Sequence, residues 1–159
     1  MPLVGFKEFY RKLDDLKANV DKVAEQAVLA GAEKIRKQAV LLAPVDTGEL
    51  KQSIKTMSKR DGKDVKGIVY TNKEYAPYVE FGTGPIGEAS DHSDVSPDIA
   101  LSYSQKGWSY LDEEGNWIHT RGQPAQPFMY PAARDTKNIA IKAASNTFAN
   151  AIKKELKNG

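Results

Sequence analysis

The first 43 residues carry a helical pattern that is unusually long for a chain of 159 residues. Its apolar residues recur at spacings of three and four, which places them on one face of a helix. A shifted stripe continues towards Pro44, which should end the helix at about Ala43. The main stripe consists of Phe6, Phe9, Leu13, Leu16, Val20, Val23, Ala27 and Ala30, and the shifted one of Gly31, Ile35, Ala39 and Leu42.

The length of this helix predicts a contact beyond its own domain. At 1.5 Å per residue it spans about 55 Å, which exceeds the diameter of a domain of this size. We therefore expect one end to project or to pack against a neighbouring molecule. Gly31 costs about 1 kcal/mol in a helix interior, so we also expect a kink or a close contact at that residue.

Short strands and tight turns follow. Residues 54–59 and 65–71 are strand candidates, and Asp61-Gly62 between them is typical of a hairpin turn, so the two strands should pair antiparallel. Residues 75–83 favour a short helix that begins at Pro77 and stops at Gly82. A strand is the alternative there, because Tyr, Val and Phe are good strand formers.

The second half contains a polar segment, a hairpin and another helix. Residues 84–107 are small, polar and acidic, and they predict a long flexible loop. Alternating aromatic residues on both sides of Gly115 predict a β-hairpin over 108–121. Apolar residues spaced by three or four predict a C-terminal helix over 127–157, with Pro131 near its start.

These elements predict one domain of the α+β class covering residues 1–159. A long N-terminal helix (1–43) and a long C-terminal helix (127–157) pack on a small antiparallel sheet. The sheet and a short helix occupy residues 44–83, and the long loop (84–107) and the aromatic hairpin (108–121) lie between the sheet and the last helix.

Composition excludes several classes of protein. The chain has 23 basic and 21 acidic residues, and this near-neutral balance argues against a dedicated nucleic-acid binder. Without cysteine it can form neither disulfides nor thiolate metal sites. It has no secretory pattern and no run of about 18 apolar residues. We therefore expect it in the cytoplasm, or in a particle that is assembled there.

Residues suited to catalysis are scarce. The run Asp91-His92-Ser93-Asp94 could be imagined as a set of metal ligands, but the spacing matches no established site and a solvated loop is favoured. His119 with Asp112 or Glu113 is a weak hydrolase candidate. Phosphate-binding loops and nucleophile elbows are absent from the sequence. We predict no enzyme, and no catalytic, cofactor-binding or metal-binding residue.

Three segments in a fixed order carry a family resemblance: residues 43–54 (Ala-Pro-Val-Asp-Thr-Gly-Glu-Leu, then Ser-Ile), 75–83 and 122–132. Together they resemble the small head–tail joining or tail-completion (neck) proteins of long-tailed bacteriophages and prophages. The resemblance implies a virion protein at the head-proximal end of the tail, in contact with other neck and tail proteins. It also implies assembly as a homo-oligomeric ring, with six subunits as the expected number.

The residues of these three blocks also have a physical interpretation. Asp46 or Thr47 could cap a turn after the first helix, and Leu50 and Ile54 should enter the core. Glu80 should be partly buried and need a partner such as Arg121 or Arg134. We assign the blocks mainly an architectural role, and their residues are Pro44, Asp46, Thr47, Gly48, Leu50, Ile54, Tyr75, Tyr78, Glu80, Phe81, Gly82, Gln126, Pro127, Phe128 and Pro131.

Two sets of residues are candidate interfaces. The first helix offers Phe6, Phe9 and Leu13, and the hairpin offers Trp108, Tyr110 and Trp117, which could instead pack within their own hairpin. A basic lining towards phage DNA could use Lys51, Lys55, Lys59, Arg60 and Lys63, although a solvated face is the simpler interpretation. The alternative function is a small regulatory or nucleic-acid-binding module of a mobile element. Its footprint would be Lys34, Arg36 and Lys37 together with the C-terminal lysines.

Overall fold

The computed structural model of the protein describes residues 4–46 and 48–158. It confirms the α+β class, with two long helices, three short ones and two separate two-stranded hairpins. The elements in chain order are α1 (Val4–Leu42), α2 (Glu49–Ser53), β1 (Lys55–Asp61), β2 (Asp64–Tyr70), α3 (Ala76–Phe81), α4 (Gly84–Glu88), β3 (Trp108–Leu111), β4 (Trp117–Thr120) and α5 (Met129–Asn158).

The long N-terminal helix is confirmed. Helix α1 has 39 residues and is about 58 Å long. It ends at Leu42 because Pro44 disfavours helical geometry in the residue before it. Its described side chains between Lys7 and Asn19 are all exposed to solvent. The side chains of Phe6, Phe9 and Leu13 lie outside the described part of the structure.

The chain divides into two compact units, and the first comprises the described parts of residues 1–35, 56–69 and 137–159. Its helices approach closely at Gly31, where an added Cβ would lie 2.9 Å from the carbonyl oxygen of Ala140. The close contact predicted at Gly31 is therefore confirmed. An added Cβ at Gly67 of β2 would lie 2.5 Å from the carbonyl oxygen of Val28. The β1–β2 backbone thus rests directly on α1.

The second unit comprises residues 36–55 and 70–136. Phe128 and Ile54 are its largest fully buried side chains, and Ala39 and Ala132 are completely buried beside the larger apolar groups. Leu50 is also buried, as expected. Small buried residues let the helix backbones of this unit come close together.

The predicted loop over 84–107 is partly ordered into helix and turns. It opens with α4, which has Pro85 in its first turn. Val95 is buried, and its N–H donates to the carbonyl oxygen of His92 at 3.0 Å. Because Gly and Pro dominate the sequence of α4, its composition is typical of a loop, and helix periodicity cannot reveal five residues.

The two hairpins confirm the predicted turns. Gly62 follows β1 with a φ of 60°, and Gly115 lies in the β3–β4 turn with a φ of 83°. Strands β3 and β4 pair antiparallel, with Trp108 opposite Thr120 and Leu111 opposite Trp117. Among the described residues, none of the helices combines the length and hydropathy that a membrane crossing requires.

Candidate protein-interaction site

The site is organised by a buried carboxylate at the start of α5. Glu80 on α3 is 5% exposed, and its Oε2 accepts hydrogen bonds from the N–H groups of Phe128 (2.7 Å) and Met129 (2.9 Å). Its Oε1 accepts one from the N–H of Tyr130 (2.9 Å). The first N–H groups of a helix have no partner within the helix, so the carboxylate satisfies them and complements the helix dipole. The next residue, Pro131, has no N–H to satisfy.

The expectation that an arginine pairs with Glu80 was wrong. Backbone N–H groups bind the carboxylate instead, and the positive end of a helix makes a cation unnecessary. Arg134 binds Asp135 (2.6 Å) and Asp94 (2.7 Å). Hydrogen bonds to Asp135, and then to Asp94, raise the pKa of Arg134 above its usual range. The helix predicted at 75–83 is confirmed, and the strand alternative there was wrong.

Backbone contacts join the second and third motif blocks. Thr83 N–H donates to the carbonyl oxygen of Gln123 (2.9 Å), and Gln126 N–H donates to that of Val79 (2.8 Å). Gly82 ends α3 with a φ of 73°, as predicted. A Cβ on Gly82 would lie 2.6 Å from the backbone nitrogen of Ala125, so both the conformation and the space require glycine.

The first block completes a cleft of about 500 Å³ next to this junction. Gly48, with a φ of 81°, is the N-cap residue of α2, and glycine has no side chain that could cap the helix. The side-chain cap expected from Asp46 or Thr47 stays a prediction. Thr47 lies outside the described residues. The three blocks thus meet at one place, where the cleft is lined by Pro44, Val45, Asp46, Gly48, Leu50, Tyr75, Val79, Gln123 and Gln126.

A second cleft of about 480 Å³ is aromatic. It is lined by Tyr75, Tyr78, Thr83, Trp108 and Gln123, so it shares two residues with the first cleft. The side-chain amide of Gln123 donates to the carbonyl oxygen of Tyr78 at 2.9 Å. Tyr78 is 59% exposed, so its ring lies at the surface and not in the core.

The β3–β4 hairpin exposes apolar side chains on both faces. Residues directly opposite each other share a face, so Trp108, Tyr110 and Ile118 lie on one face and Leu111 and Trp117 on the other. Trp117 is 71% exposed and Leu111 is 54% exposed. Exposed apolar groups of this size in a cluster are typical of interaction surfaces.

The tip of this hairpin is built around an aspartate. The Asp112 carboxylate accepts hydrogen bonds from the N–H of Asn116 (2.8 Å) and the N–H of Glu114 (3.0 Å). These bonds, above all the one from Asn116, lower the pKa of Asp112 below its ordinary value of 3.8. The turn is therefore fixed by a side chain, while the neighbouring Glu113 and Glu114 are exposed.

Residues once considered for metal binding or catalysis serve the local fold. The Nε2 of His92 lies 2.9 Å from the hydroxyl of Tyr103, which donates to the carbonyl oxygen of Phe81 at 2.7 Å. Burial raises the pKa of Tyr103. His119 lies 3.1 Å from the Ser109 hydroxyl on the hairpin. Within residues 4–46 and 48–158, no group of three His, Asp or Glu side chains could hold a metal ion.

The basic residues named as a DNA lining are placed unequally. Arg60 binds Asp21 and Glu25 of α1, each at 3.3 Å, and so anchors the β1–β2 hairpin to that helix. Lys55, Lys59 and Lys63 are exposed, and Lys51 is half-buried at α2. On α1, Lys34 and Lys37 are also exposed.

Sequence reasoning missed three residues of this region: Gln123, Tyr103 and the turn-forming role of Asp112. The sequence Asp112-Glu-Glu-Gly-Asn116 carries a usable signal, because Asp commonly binds backbone N–H groups two residues on. Tyr103 and Gln123 make hydrogen bonds to residues 22 and 45 positions away along the chain, respectively. No local pattern announces such contacts.

Comparison with protein families agrees with the resemblance seen in the sequence. Residues 7–82 match the family described as "Bacteriophage HK97-gp10, putative tail-component". No curated protein and no solved structure matched the chain. The matched region contains all but the first three residues of α1, the whole first motif block and all but the last residue of the second, and it ends at Gly82, the glycine that stops α3. Over residues 7–82 the chain is therefore similar to the HK97-gp10-like family, whose description as a bacteriophage tail component supports a structural role in a phage particle.

Proposed function

We propose that the chain is a subunit of a ring at the head–tail junction, where it completes the tail and joins it to the head. The main observation that supports this proposal is the apolar surface that a single copy of the chain exposes to solvent. Trp117 and Tyr110 on the hairpin, and Leu16 on α1, are each about half exposed or more. Monomeric proteins rarely keep such groups in clusters unless a partner covers them.

Two features support contacts in more than one direction. The N-terminal turns of α1 have only exposed side chains among those described, so they offer a helix face to a neighbour. The two clefts beside Gln123 lie on the second unit and combine apolar walls with backbone groups. A ring subunit needs contacts to copies of itself and to the neck and tail proteins above and below.

The head-proximal position rests on the resemblance of all three motif blocks to the joining and tail-completion proteins. Assembly takes place in the host bacterial cytoplasm, where tails and heads are joined. Contact with DNA is a minor part of the proposal. Of the residues named for it, Arg60 is already held by two carboxylates, which leaves the exposed Lys55, Lys59 and Lys63.

Labelling of tails tests the location. The purified chain, carrying a C-terminal affinity tag, is incubated with tails from the phage that encodes it, and gold-labelled tag is located by electron microscopy. We expect gold at one end of the tail tube, opposite the host-binding tip. Gold along the tube or at the host-binding tip would contradict the proposed location. The variant Trp117→Ser should label fewer tails than the wild type if the hairpin contributes.

A further inference from the structure

Charge is strongly segregated along the chain. Residues 84–120 contain seven acidic residues and one lysine, whereas the rest contains 22 basic and 14 acidic residues. The near-zero total therefore conceals an acidic segment and a basic remainder. Two oppositely charged regions on one molecule favour contacts between copies, because the acidic region of one copy can face the basic region of the next.

The acidic segment ends in the aromatic hairpin β3–β4. Its tip carries Glu113 and Glu114, both exposed, and Asp112 holds the turn rigid through hydrogen bonds to the backbone. Trp117 and Tyr110 lie behind the tip and are mostly open to solvent. A rigid hairpin with apolar strands and an anionic turn binds best to a surface that is apolar and surrounded by cationic side chains.

The β1–β2 hairpin has that chemistry. Between Lys55 and Tyr70 it carries five basic and two acidic residues. Lys59 and Lys63 are exposed, and Met57 between the lysines of β1 is 42% exposed. Lysine side chains add favourable contacts with the faces of aromatic rings when the two meet.

The β1–β2 hairpin is also fixed firmly enough to serve as a docking platform. Arg60 binds Asp21 and Glu25 of α1, and Gly67 lies against the backbone of that helix. These contacts belong to the inner side of the hairpin, so Met57, Lys59 and Lys63 need not rearrange to receive a partner. A preformed surface binds with a smaller entropic cost than a flexible one.

We infer that the β3–β4 hairpin of one copy docks on the β1–β2 hairpin of the next copy, head to tail. The contact pairs Glu113 and Glu114 with Lys59 and Lys63, and it covers Trp117 and Met57. The inference rests on the proposed ring and identifies its subunit interface. Because the two surfaces differ, the contact is heterologous, which is the type that generates rings.

Charge reversal provides a test with its own rescue. One variant carries Glu113→Lys and Glu114→Lys, and the other carries Lys59→Glu and Lys63→Glu. In either variant alone both docking surfaces have the same sign, so self-association should weaken by at least about tenfold in dissociation constant. In an equimolar mixture, each tip again meets a platform of opposite charge, and association should return.

Sedimentation velocity at low and high salt measures these states, and circular dichroism confirms that both variants are folded. The control Lys153→Glu with Lys154→Glu makes the same change in net charge as the Lys59 and Lys63 variant, at exposed positions of α5, and should associate like the wild type. Loss in each variant with recovery in the mixture supports the inference.

The remaining outcomes overturn the inference in distinguishable ways. If both variants assemble as the wild type does, the ring stands but its interface lies elsewhere. If the lysine variant loses binding to duplex DNA while its self-association is unchanged, the β1–β2 lysines belong to a DNA contact. If wild type and mixture both stay monomeric at every concentration, the interface and the self-assembling ring both fail.

Discussion

Replacement of Glu80 should destabilise the protein strongly. Its carboxylate binds the N–H groups of Phe128, Met129 and Tyr130 at 2.7 to 2.9 Å, and the residue is 5% exposed. In Glu80→Ala all three donors lose their acceptor in a buried place. Unsatisfied buried donors cost about 1–3 kcal/mol each. Because water can reach the neighbouring cleft of about 300 Å³, we expect a total near the lower limit for three donors, about 3 kcal/mol.

Glu80→Gln separates the charge from the shape. The amide oxygen can still accept from Phe128 and Met129, but the amide NH₂ then faces the N–H of Tyr130. One donor is lost together with the attraction to the helix dipole, which amounts to about 2–3 kcal/mol. That is a large part of the stability of an ordinary domain.

Urea unfolding followed by far-ultraviolet circular dichroism measures both variants, with the free energy taken from the midpoint and slope. Glu74→Gln, an exposed position in the turn before α3, is the matched control and should change stability by less than about 0.5 kcal/mol. If Glu80→Gln unfolds within about 0.5 kcal/mol of the wild type, the carboxylate does not hold α5 in the way described here.

Two further predictions concern packing and pH. Gly67→Ala should destabilise the protein by about 1–3 kcal/mol in urea unfolding, because the new Cβ would lie 2.5 Å from the carbonyl oxygen of Val28; wild-type stability would contradict this contact. Asp112 has a lowered pKa, so its stabilisation of the hairpin is full above the ordinary value of 3.8 and is lost as pH falls through the lower, folded value. The amide chemical shift of Asn116 should follow that titration in the wild type, and Asp112→Asn should abolish the pH dependence.

Much of the fold follows from local patterns in the sequence. Three signals depend only on residues that are close together in the sequence. They are the apolar stripe of α1 with the Pro44 that ends the helix, the glycine turn at Gly62, and the Pro77 and Gly82 that bound α3. The close contact at Gly31 was also predictable, because glycine lowers helix stability and is therefore expected inside a helix where another backbone comes close.

The site itself depends on contacts that no local pattern contains. Glu80 was expected to be partly buried, but its partners are backbone N–H groups 48 to 50 residues away, and every residue except proline has such a group. The sequence suggested an arginine because a sequence distinguishes residues by their side chains and does not show which backbone N–H groups a carboxylate will bind. The meeting of three blocks around Gln123 likewise needs the tertiary fold.

The segregation of charge was visible in the sequence from the start, but its meaning needed the structure. An acidic run such as 84–107 is ordinarily a solvated loop, but here it leads into the exposed β3–β4 hairpin, whose ordered tip adds further acidic residues. Conversely, the lysines of β1 and β2 looked like a solvated face. The ion pairs between Arg60 and α1 hold the β1–β2 hairpin against that helix, so the face with the lysines is a rigid surface.

The molar mass of the purified chain in solution, measured by light scattering over a wide concentration range, tests the central claim of ring assembly most directly. The subunit mass is 17.5 kDa. The account predicts a closed oligomer near six subunits, whose mass reaches a plateau as concentration rises and decreases at high salt. A mass that stays at that of one subunit at every concentration would contradict a self-assembling ring.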